Sequence, residues 1–410
     1  MSISPLCVLY IPQSVYIVIF AQNKHNFFTL AMAKQISDSK LGILGGGQLG
    51  RMLIQEAINY NLTTLILDPD TDAPCKHIAN YFECGSITDF DTVYHFGKKA
   101  DIITIEIEKV NIEALDQLEK EGKQVYPQAR VIRLIQDKGV QKQFFKENGI
   151  PTAAFQLVNT KEDIRNSHFG FPYILKQRRD GYDGKGVMKI SGPADIENAF
   201  DAPCLIEELV DFEKEIAVIV ARNPNGDVKT FPMVEMEFNA EANLVEFLIS
   251  PSTYPEAIQH KAETIAKNIA SSLNVTGLLA VEMFVTRSGE VLVNELAPRP
   301  HNSGHHTIEG NYVSQFEQHL RAIFNLPLGD TRAITNAVMI NLLGEKGHEG
   351  VAKYSGLERV LRLDGVYVHL YGKKYTKPFR KMGHITVIDQ NRESAIEKAN
   401  YIKNTLKVIS

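Results

Sequence analysis

The chain has 410 residues, 44% of them hydrophobic and 23% charged, with a formal net charge of −5. That length predicts two or three domains with sizeable cores, and the charge balance lacks the basic excess that a nucleic-acid partner requires. The four cysteines, Cys7, Cys75, Cys84 and Cys204, are scattered with no Cys-x-x-Cys pair, which argues against a disulfide framework or zinc site and fits a reducing, cytoplasmic setting.

Residues 1–39 differ in character from the rest of the chain. The apolar run over 6–21 is interrupted by Pro12 and Gln13 and is too poor for a membrane span. Ala31-Met32-Ala33 resembles a signal cleavage site, but no basic segment precedes it. The expectation is that Met32-Ala33-Lys34 begins the natural chain and that 1–39 is a non-native or disordered extension.

From Lys40 onward, strand and helix alternate. A short apolar strand, LGILG, runs into a glycine loop and the helix GGQLGRMLIQEAINY, followed by the strand TTLILD. Residues 101–107 predict another strand and 111–121 a helix, so a parallel, Rossmann-like domain is expected over 40–135. A helix pair over 130–148 leads to the linker Gly149-Ile150-Pro151. A second α/β domain over 136–330 is expected, with strands at 173–176, 186–190, 204–208, 215–222 and 228–237 and an amphipathic helix at 256–273. The tail, 331–410, predicts a small β-rich module with short strands at 366–370 and 384–387.

Gly45, Gly47 and Gly50 form G-x-G-x-x-G between strand and helix, and Asp68 closes the next strand. This spacing is close to the dinucleotide fingerprint, in which backbone N–H groups and a helix N-terminus hold pyrophosphate and the acid binds ribose. Taken alone it suggests an NAD-dependent oxidoreductase; another phosphorylated ligand, or a plain tight turn, satisfies the same glycines.

A second glycine segment follows the strand ending at Lys176. Gly181, Gly184 and Gly186 fall within six residues, with Tyr182, Asp183 and Lys185 among them and Val187 next. Such a hairpin lets the backbone approach a polyphosphate while Lys176 offsets its charge. It is not a Walker A loop, since G-x-x-x-x-G-K-[ST] is absent. Glu207-Glu208-Leu209-Val210 ends a later apolar strand, and Glu215 lies five residues beyond. A strand end of this kind can hydrogen-bond an adenine edge, with a carboxylate nearby for ribose hydroxyls; it can equally be a solvent-facing acidic end.

The richest stretch is 277–305. Two β-rich runs, 278–286 and 291–296, flank Arg287-Ser288-Gly289-Glu290, a hairpin signal. Folded about that turn, residues whose numbers sum to 577 face each other, which sets Glu282 opposite Glu295. Like charges directly opposite destabilise a sheet. Two carboxylates gripping a hard divalent cation, Mg²⁺ or alternatively Mn²⁺, explain the pair, and such a cation usually brings nucleotide phosphates. A solvated edge hairpin is the bland alternative.

A lysine-ended strand, a glycine hairpin, an acidic strand end and paired carboxylates, in that order, resemble the ATP-grasp superfamily. GGGQLGRM at 45–52, TIEIE at 104–108, GYDGKG at 181–186, NELAPRPHNSGH at 294–305 and RKMGH at 380–384 narrow the resemblance to the 5-(carboxyamino)imidazole ribonucleotide synthase family. It runs from about Lys40 to the C-terminus. The resemblance implies an α/β ATP-grasp fold with an N-terminal pre-ATP-grasp domain. It also implies ATP-dependent carboxylation of aminoimidazole ribonucleotide by bicarbonate, through carboxyphosphate, in purine biosynthesis, by a homodimer.

It further implies residue roles. Glu282 and Glu295 would hold the metal. Lys138, Lys176, the 181–186 loop with Val187, and Asn294 would bind ATP phosphates and metal, while Glu207, Glu208, Leu209, Val210 and Glu215 would bind adenosine. Asp183 would take the amine proton, with Tyr182 beside it, and Arg299, His301 and Asn302 would line the bicarbonate site. Gln48, Glu106, Lys373 and Arg380 would hold the ribonucleotide. Two positions depart from the family pattern: Phe238 and Lys109 stand where histidines are usual. Other ATP-grasp ligases, a formate-dependent ribonucleotide transformylase or a biotin-carboxylase relative, are the nearest alternatives.

Overall fold

The structure, a computed structural model, describes residues 10–11, 14–15, 36–179, 181, 186–239 and 244–410. Ahead of the main fold, Tyr10–Ile11 and Ser14–Val15 form a short antiparallel pair.

Strands β1 (Lys40–Leu44), β2 (Thr63–Asp68), β3 (Tyr81–Cys84), β4 (Ile102–Ile105) and β5 (Gln124–Val125) form a parallel sheet in the order β3-β2-β1-β4-β5. Its central strands are continuously apolar because helices cover both faces. Helix α1 (Gln48–Asn59) buries Met52, Leu53 and Ile54 on one face. Helices α2 (Phe90–Gly97) and α3 (Ile112–Lys120) bury Val93, Phe96, Leu115 and Leu118 on the other. Strand β3 escapes the sequence reading because it is a four-residue edge strand, YFEC, without clear alternation.

Helices α4 (Ala129–Ile135) and α5 (Lys138–Glu147) lead to a small antiparallel sheet. It holds β6 (Phe155–Val158), β7 (Tyr173–Gln177), β8 (Val187–Ile190) and β9 (Cys204–Glu208), ordered β8-β7-β9-β6. The large sheet contains β10 (Phe212–Arg222), β11 (Val228–Thr230), β12 (Val234–Asn239), β13 (Leu244–Ser250), β14 (Gly277–Thr286) and β15 (Val291–Ala297). The single strand expected over 228–237 is two strands. Pro232 between them has no N–H to give the ladder, and Phe231 N makes the last bond, to Ile219 O at 2.8 Å. Helix α6 (Glu256–Leu273) packs a stripe of Ala262, Ile265, Ala266, Ile269, Ala270 and Leu273 against the large sheet.

Helix α7 (Gln315–Ile323) joins the two halves. Phe316, Leu320 and Ile323 pack with α1, while His319 lies between β4 and β14. His319 Nδ1 accepts from Leu278 N at 3.3 Å, and Nε2 is 2.9 Å from Thr104 Oγ1. The tail continues the large sheet: β16 (Asn336–Leu343) pairs with β13, followed by β18 (Lys381–Asp389) and β17 (Val366–Leu370) in the order β13-β16-β18-β17. Helix α8 (Arg392–Thr405), absent from the β-rich expectation, covers these strands with Ala395, Ala399 and Ile402.

Candidate active site

The β14–β15 hairpin places Glu282 opposite Glu295, as the turn chemistry predicts. The pairing sum of 577 holds for Ala280–Ala297, Val281–Leu296 and Glu282–Glu295, then slips by one to Met283–Val293. Asn294 is the extra residue of a β-bulge, which interrupts the alternation of side chains between the two faces. Asn294 and Glu295 consequently meet the same group of lysines: Lys176 Nζ donates to Asn294 Oδ1 at 3.0 Å, and Lys138 Nζ to Glu295 Oε2 at 2.5 Å.

The two opposed carboxylates are not equivalent. Lys138 holds Glu295 well below the usual carboxylate range against the effect of burial. Burial, then the Glu295 charge, raises Glu282 above the usual carboxylate range. His301 Nε2 lies 3.2 Å from Glu282 Oε1. Glu215, on the adjacent β10, is pushed up to about 7 by burial. An all-oxygen pair of this kind fits a hard divalent cation. Among the described residues no group of three or more His, Cys, Asp or Glu is arranged to hold a metal ion.

Helix α5 supplies the cations. Asp137 caps it, accepting from Gly139 N and Val140 N, and also takes Arg178 Nε and Nη2, each at 2.8 Å. That carboxylate thereby fastens the base of the glycine hairpin to the helix that begins with Lys138. One turn later, Lys142 reaches Glu207. Glu207 is buried, which alone would raise its acid, but Lys176 (2.5 Å) and Lys142 pull it below its ordinary value. Glu207 is therefore an internal ion-pair partner, whereas Glu208 and Leu209 are exposed and Val210 half-buried at the strand end.

The first glycine loop differs from a dinucleotide site. Gly46 N donates to Asp68 Oδ2, Gly47 N to Glu106 Oε1 and Gly50 N to Glu106 Oε2, each at 2.6 Å. The N–H groups that would cradle pyrophosphate are already satisfied by carboxylates, and Asp68 faces the loop, so the NAD reading is set aside. Burial raises the Glu106 acid, with the two N–H bonds opposing. Gln48 begins α1 beside this loop, half-buried.

Glu108 links this loop to the other side of the cleft through Arg299, at 2.9 Å. His301 caps the short turn Asn302–Gly304, with Nδ1 2.9 Å from Ser303 Oγ. Among the described residues Asn302 Nδ2 is buried without a hydrogen-bond partner.

Loop 371–373 lies against α1, around a cavity of about 190 Å³ lined by Arg51, Gln55, His369 and Tyr371. Lys373 Nζ, in that loop, donates to Lys381 O at 2.7 Å. Arg380 lies elsewhere: it donates to Tyr375 O at 2.6 Å and lines a separate cavity with Glu349 and Thr376. Its neighbour Lys381, which the sequence reading did not assign, is the cation whose charge reaches Glu282 and His305. Gly181, Gly186 and Val187 sit at the base of the glycine hairpin, where Gln177 N donates to Gly186 O at 2.8 Å. Tyr182, Asp183, Gly184 and Lys185 lie outside the described residues. Phe238 packs beside Met236 and Leu248, offering no donor. Lys142, Asp137 and Thr152 also escaped the sequence reading; for Asp137, its cap position before an apolar helix was the available signal.

Three families match in succession: the ribonucleotide synthetase preATP-grasp domain at residues 39–136, the ATP-grasp domain at 143–316, and the phosphoribosylaminoimidazole carboxylase C-terminal domain at 337–398. The N5-carboxyaminoimidazole ribonucleotide synthase of Bacillus subtilis is 38% identical over 90% of this chain and 96% of its own. The crystal structure of the synthetase from Thermotoga maritima superposes with a TM-score of 0.84 at 42% identity, covering 91% of this chain and 99% of that one. The Aspergillus clavatus synthase, solved with ADP and 5-aminoimidazole ribonucleotide, gives a TM-score of 0.82 at 31% identity over 90% and 98%. The chain spans 66% of the length of the yeast phosphoribosylaminoimidazole carboxylases that it matches at 39% identity. Sequence, fold and cleft together make this chain a member of the N5-carboxyaminoimidazole ribonucleotide synthase family of ATP-grasp ligases.

Proposed function

We propose that the chain uses ATP and bicarbonate to carboxylate 5-aminoimidazole ribonucleotide, giving N5-carboxyaminoimidazole ribonucleotide, ADP and phosphate in purine biosynthesis. One observation carries this reading. The Glu282–Glu295 pair with Lys138, the Arg299–Asn302 segment that follows the same strand, and the Glu106-closed glycine loop share one cleft, joined by the Arg299–Glu108 ion pair. The B. subtilis and A. clavatus relatives carry the names of the same product and substrate.

Lys138 and Lys176 take triphosphate oxygens in this reading, with Glu208, Leu209 and Glu215 toward the nucleoside. Glu282 and Glu295, with Asn294 adjacent, fit Mg²⁺ or Mn²⁺, which when bound supplies charge neutralisation for phosphoryl transfer. A bicarbonate oxygen attacks the γ-phosphorus, ADP leaves, and the resulting carboxyphosphate breaks down to deliver CO₂ to the exocyclic amine. Arg299, His301 and the buried Asn302 Nδ2 surround that anion and stabilise its charge. Asp183 accepts the proton the amine loses, with Tyr182 beside it. Gln48 and Glu106 face the ribonucleotide, and Lys373 its phosphate, while Arg380, in its separate cavity, has no part in this contact. A homodimer in the cytoplasm belongs to this reading. Among the described residues no helix is long and apolar enough to cross a membrane.

ADP release measured in a coupled assay tests the assignment: it should require aminoimidazole ribonucleotide and bicarbonate together. Stimulation by formate or biotin instead would overturn the substrates. Sedimentation as a monomer would remove the dimer.

A further inference from the structure

We infer that Lys142 is a positioning residue for nucleotide binding: by neutralising Glu207 from within the core, it leaves Lys176 able to turn to the triphosphate. This rests on the ATP-grasp reading of the cleft and adds a residue to it.

Lys142 lies one turn after Lys138 on α5, so the two lysines share a face of the helix. Their carboxylate partners belong to different sheets, Glu295 in the large sheet and Glu207 in the small one. Lys142 is 3% exposed. A lysine this deep is held only by well-made partners. Its polar partners among the described residues are Glu207 and the Thr152 hydroxyl, and Thr152 Oγ1 in turn donates to Val293 O at 2.6 Å on β15.

Glu207 divides its carboxylate between two ammonium groups, Lys142 on Oε1 and Lys176 on Oε2. One carboxylate shared between two lysines cannot be a full counter-ion to both, and since burial lowers the pKa of Lys142, the pairing with Glu207 is what favours its charge. The two lysines differ in freedom: the Lys142 side chain is 4% exposed, that of Lys176 14%. Lys142, anchored by Thr152, is the permanent partner. Lys176, held otherwise by the Asn294 amide at 3.0 Å among the described residues, is the one that can reorient toward an anion. Without Lys142, Glu207 would be a buried carboxylate with Lys176 as its sole counter-ion. Releasing Lys176 would then strand a buried charge, a strongly unfavourable step. Lys176 would stay paired, and the nucleotide would lose a phosphate contact.

The test uses the full chain and calorimetric titration with ADP, ATP and aminoimidazole ribonucleotide. Lys142→Met should raise the Kd for ATP about tenfold or more, leave that for the ribonucleotide unchanged, and raise the KM for ATP more than it lowers kcat. Adding Glu207→Gln should tighten ATP binding relative to Lys142→Met, because the trap for Lys176 is removed. Should Lys142→Met not fold, Thr152→Val, which loosens the Lys142 anchor, should show the same split at about two- to fivefold. Equal weakening of both ligands, or no tightening in the double variant, would reduce Lys142 to a structural ion pair and overturn the inference. Failure of the unaltered protein to bind ATP would instead overturn the ATP-grasp reading beneath it.

Discussion

Glu282 and Glu295 face each other across β14 and β15 yet hold their protons differently. Lys138 lowers the Glu295 acid, while burial and the charge of Glu295 raise that of Glu282. The Lys138 ammonium, 2.5 Å from Glu295, offsets the repulsion that two opposed glutamates bring to a sheet. The Glu295 side chain is 43% exposed and that of Glu282 16%, so Glu295 is the carboxylate an incoming ligand meets first.

Glu295→Gln should abolish ADP formation, by more than about a hundredfold, while the melting temperature shifts little. The amide keeps the shape of the side chain and can still accept from Lys138, so the fold loses only the charge. Retained turnover with an ordinary Mg²⁺ dependence would count decisively against the metal role.

Glu106 occupies the N–H groups of the first glycine loop, and the glycines leave it no slack. A Cβ at Gly47 would lie 2.4 Å from Glu106 Oε1. Gly47→Ala should therefore push the carboxylate off the loop, raising the KM for the ribonucleotide at least about tenfold with little change in ATP affinity. A variant with both constants unaltered would show that Glu106 closes the loop without serving the substrate.

Asp137 ties two parts of the cleft together through one carboxylate, the N-terminus of α5 and the base of the glycine hairpin at Arg178. Asp137→Asn keeps a capping oxygen, since Asn caps helices as well as Asp, but should cost about 3 kcal/mol of stability because it leaves the partly buried Arg178 guanidinium without its counter-ion. It should also raise the KM for ATP. Chemical denaturation checks the first effect, and an unchanged midpoint would refute it.

Local pattern made much of this legible. Helix α6 declares itself in its apolar stripe from Ala262 to Leu273, and the hairpin in Ser288-Gly289 between two β-rich runs. The register was readable at Glu282 but not at Met283, because the bulge at Asn294 answers to lysines on α5 and β7, far away in the chain. Lys142 reads as a solvated helix face until Glu207, supplied by another sheet, buries it. The glycine fingerprint reads as a phosphate cradle because nothing local reveals that Glu106 fills it. Strand β16 reads as part of a separate tail because its partner, β13, lies more than eighty residues earlier.

The joint between the sheets should be sensitive to acid through His319. Its Nδ1 accepts from Leu278 N and its Nε2 faces the Thr104 hydroxyl, a pattern that requires the neutral ring. Burial lowers its pKa to about 3. The unfolded chain takes up a proton near pH 6.5, whereas the folded ring does so only near 3. Between those values the unfolded state binds more protons, so stability falls as pH falls, by up to roughly 1.4 kcal/mol per pH unit from this group. Above about pH 7 the contribution is constant. His319→Gln, which retains an acceptor and a donor, should be less stable than the parent at neutral pH but lose less on acidification. Urea midpoints at pH 7 and pH 5 measure the difference, and parallel losses in the two proteins would show that His319 does not set the acid limit.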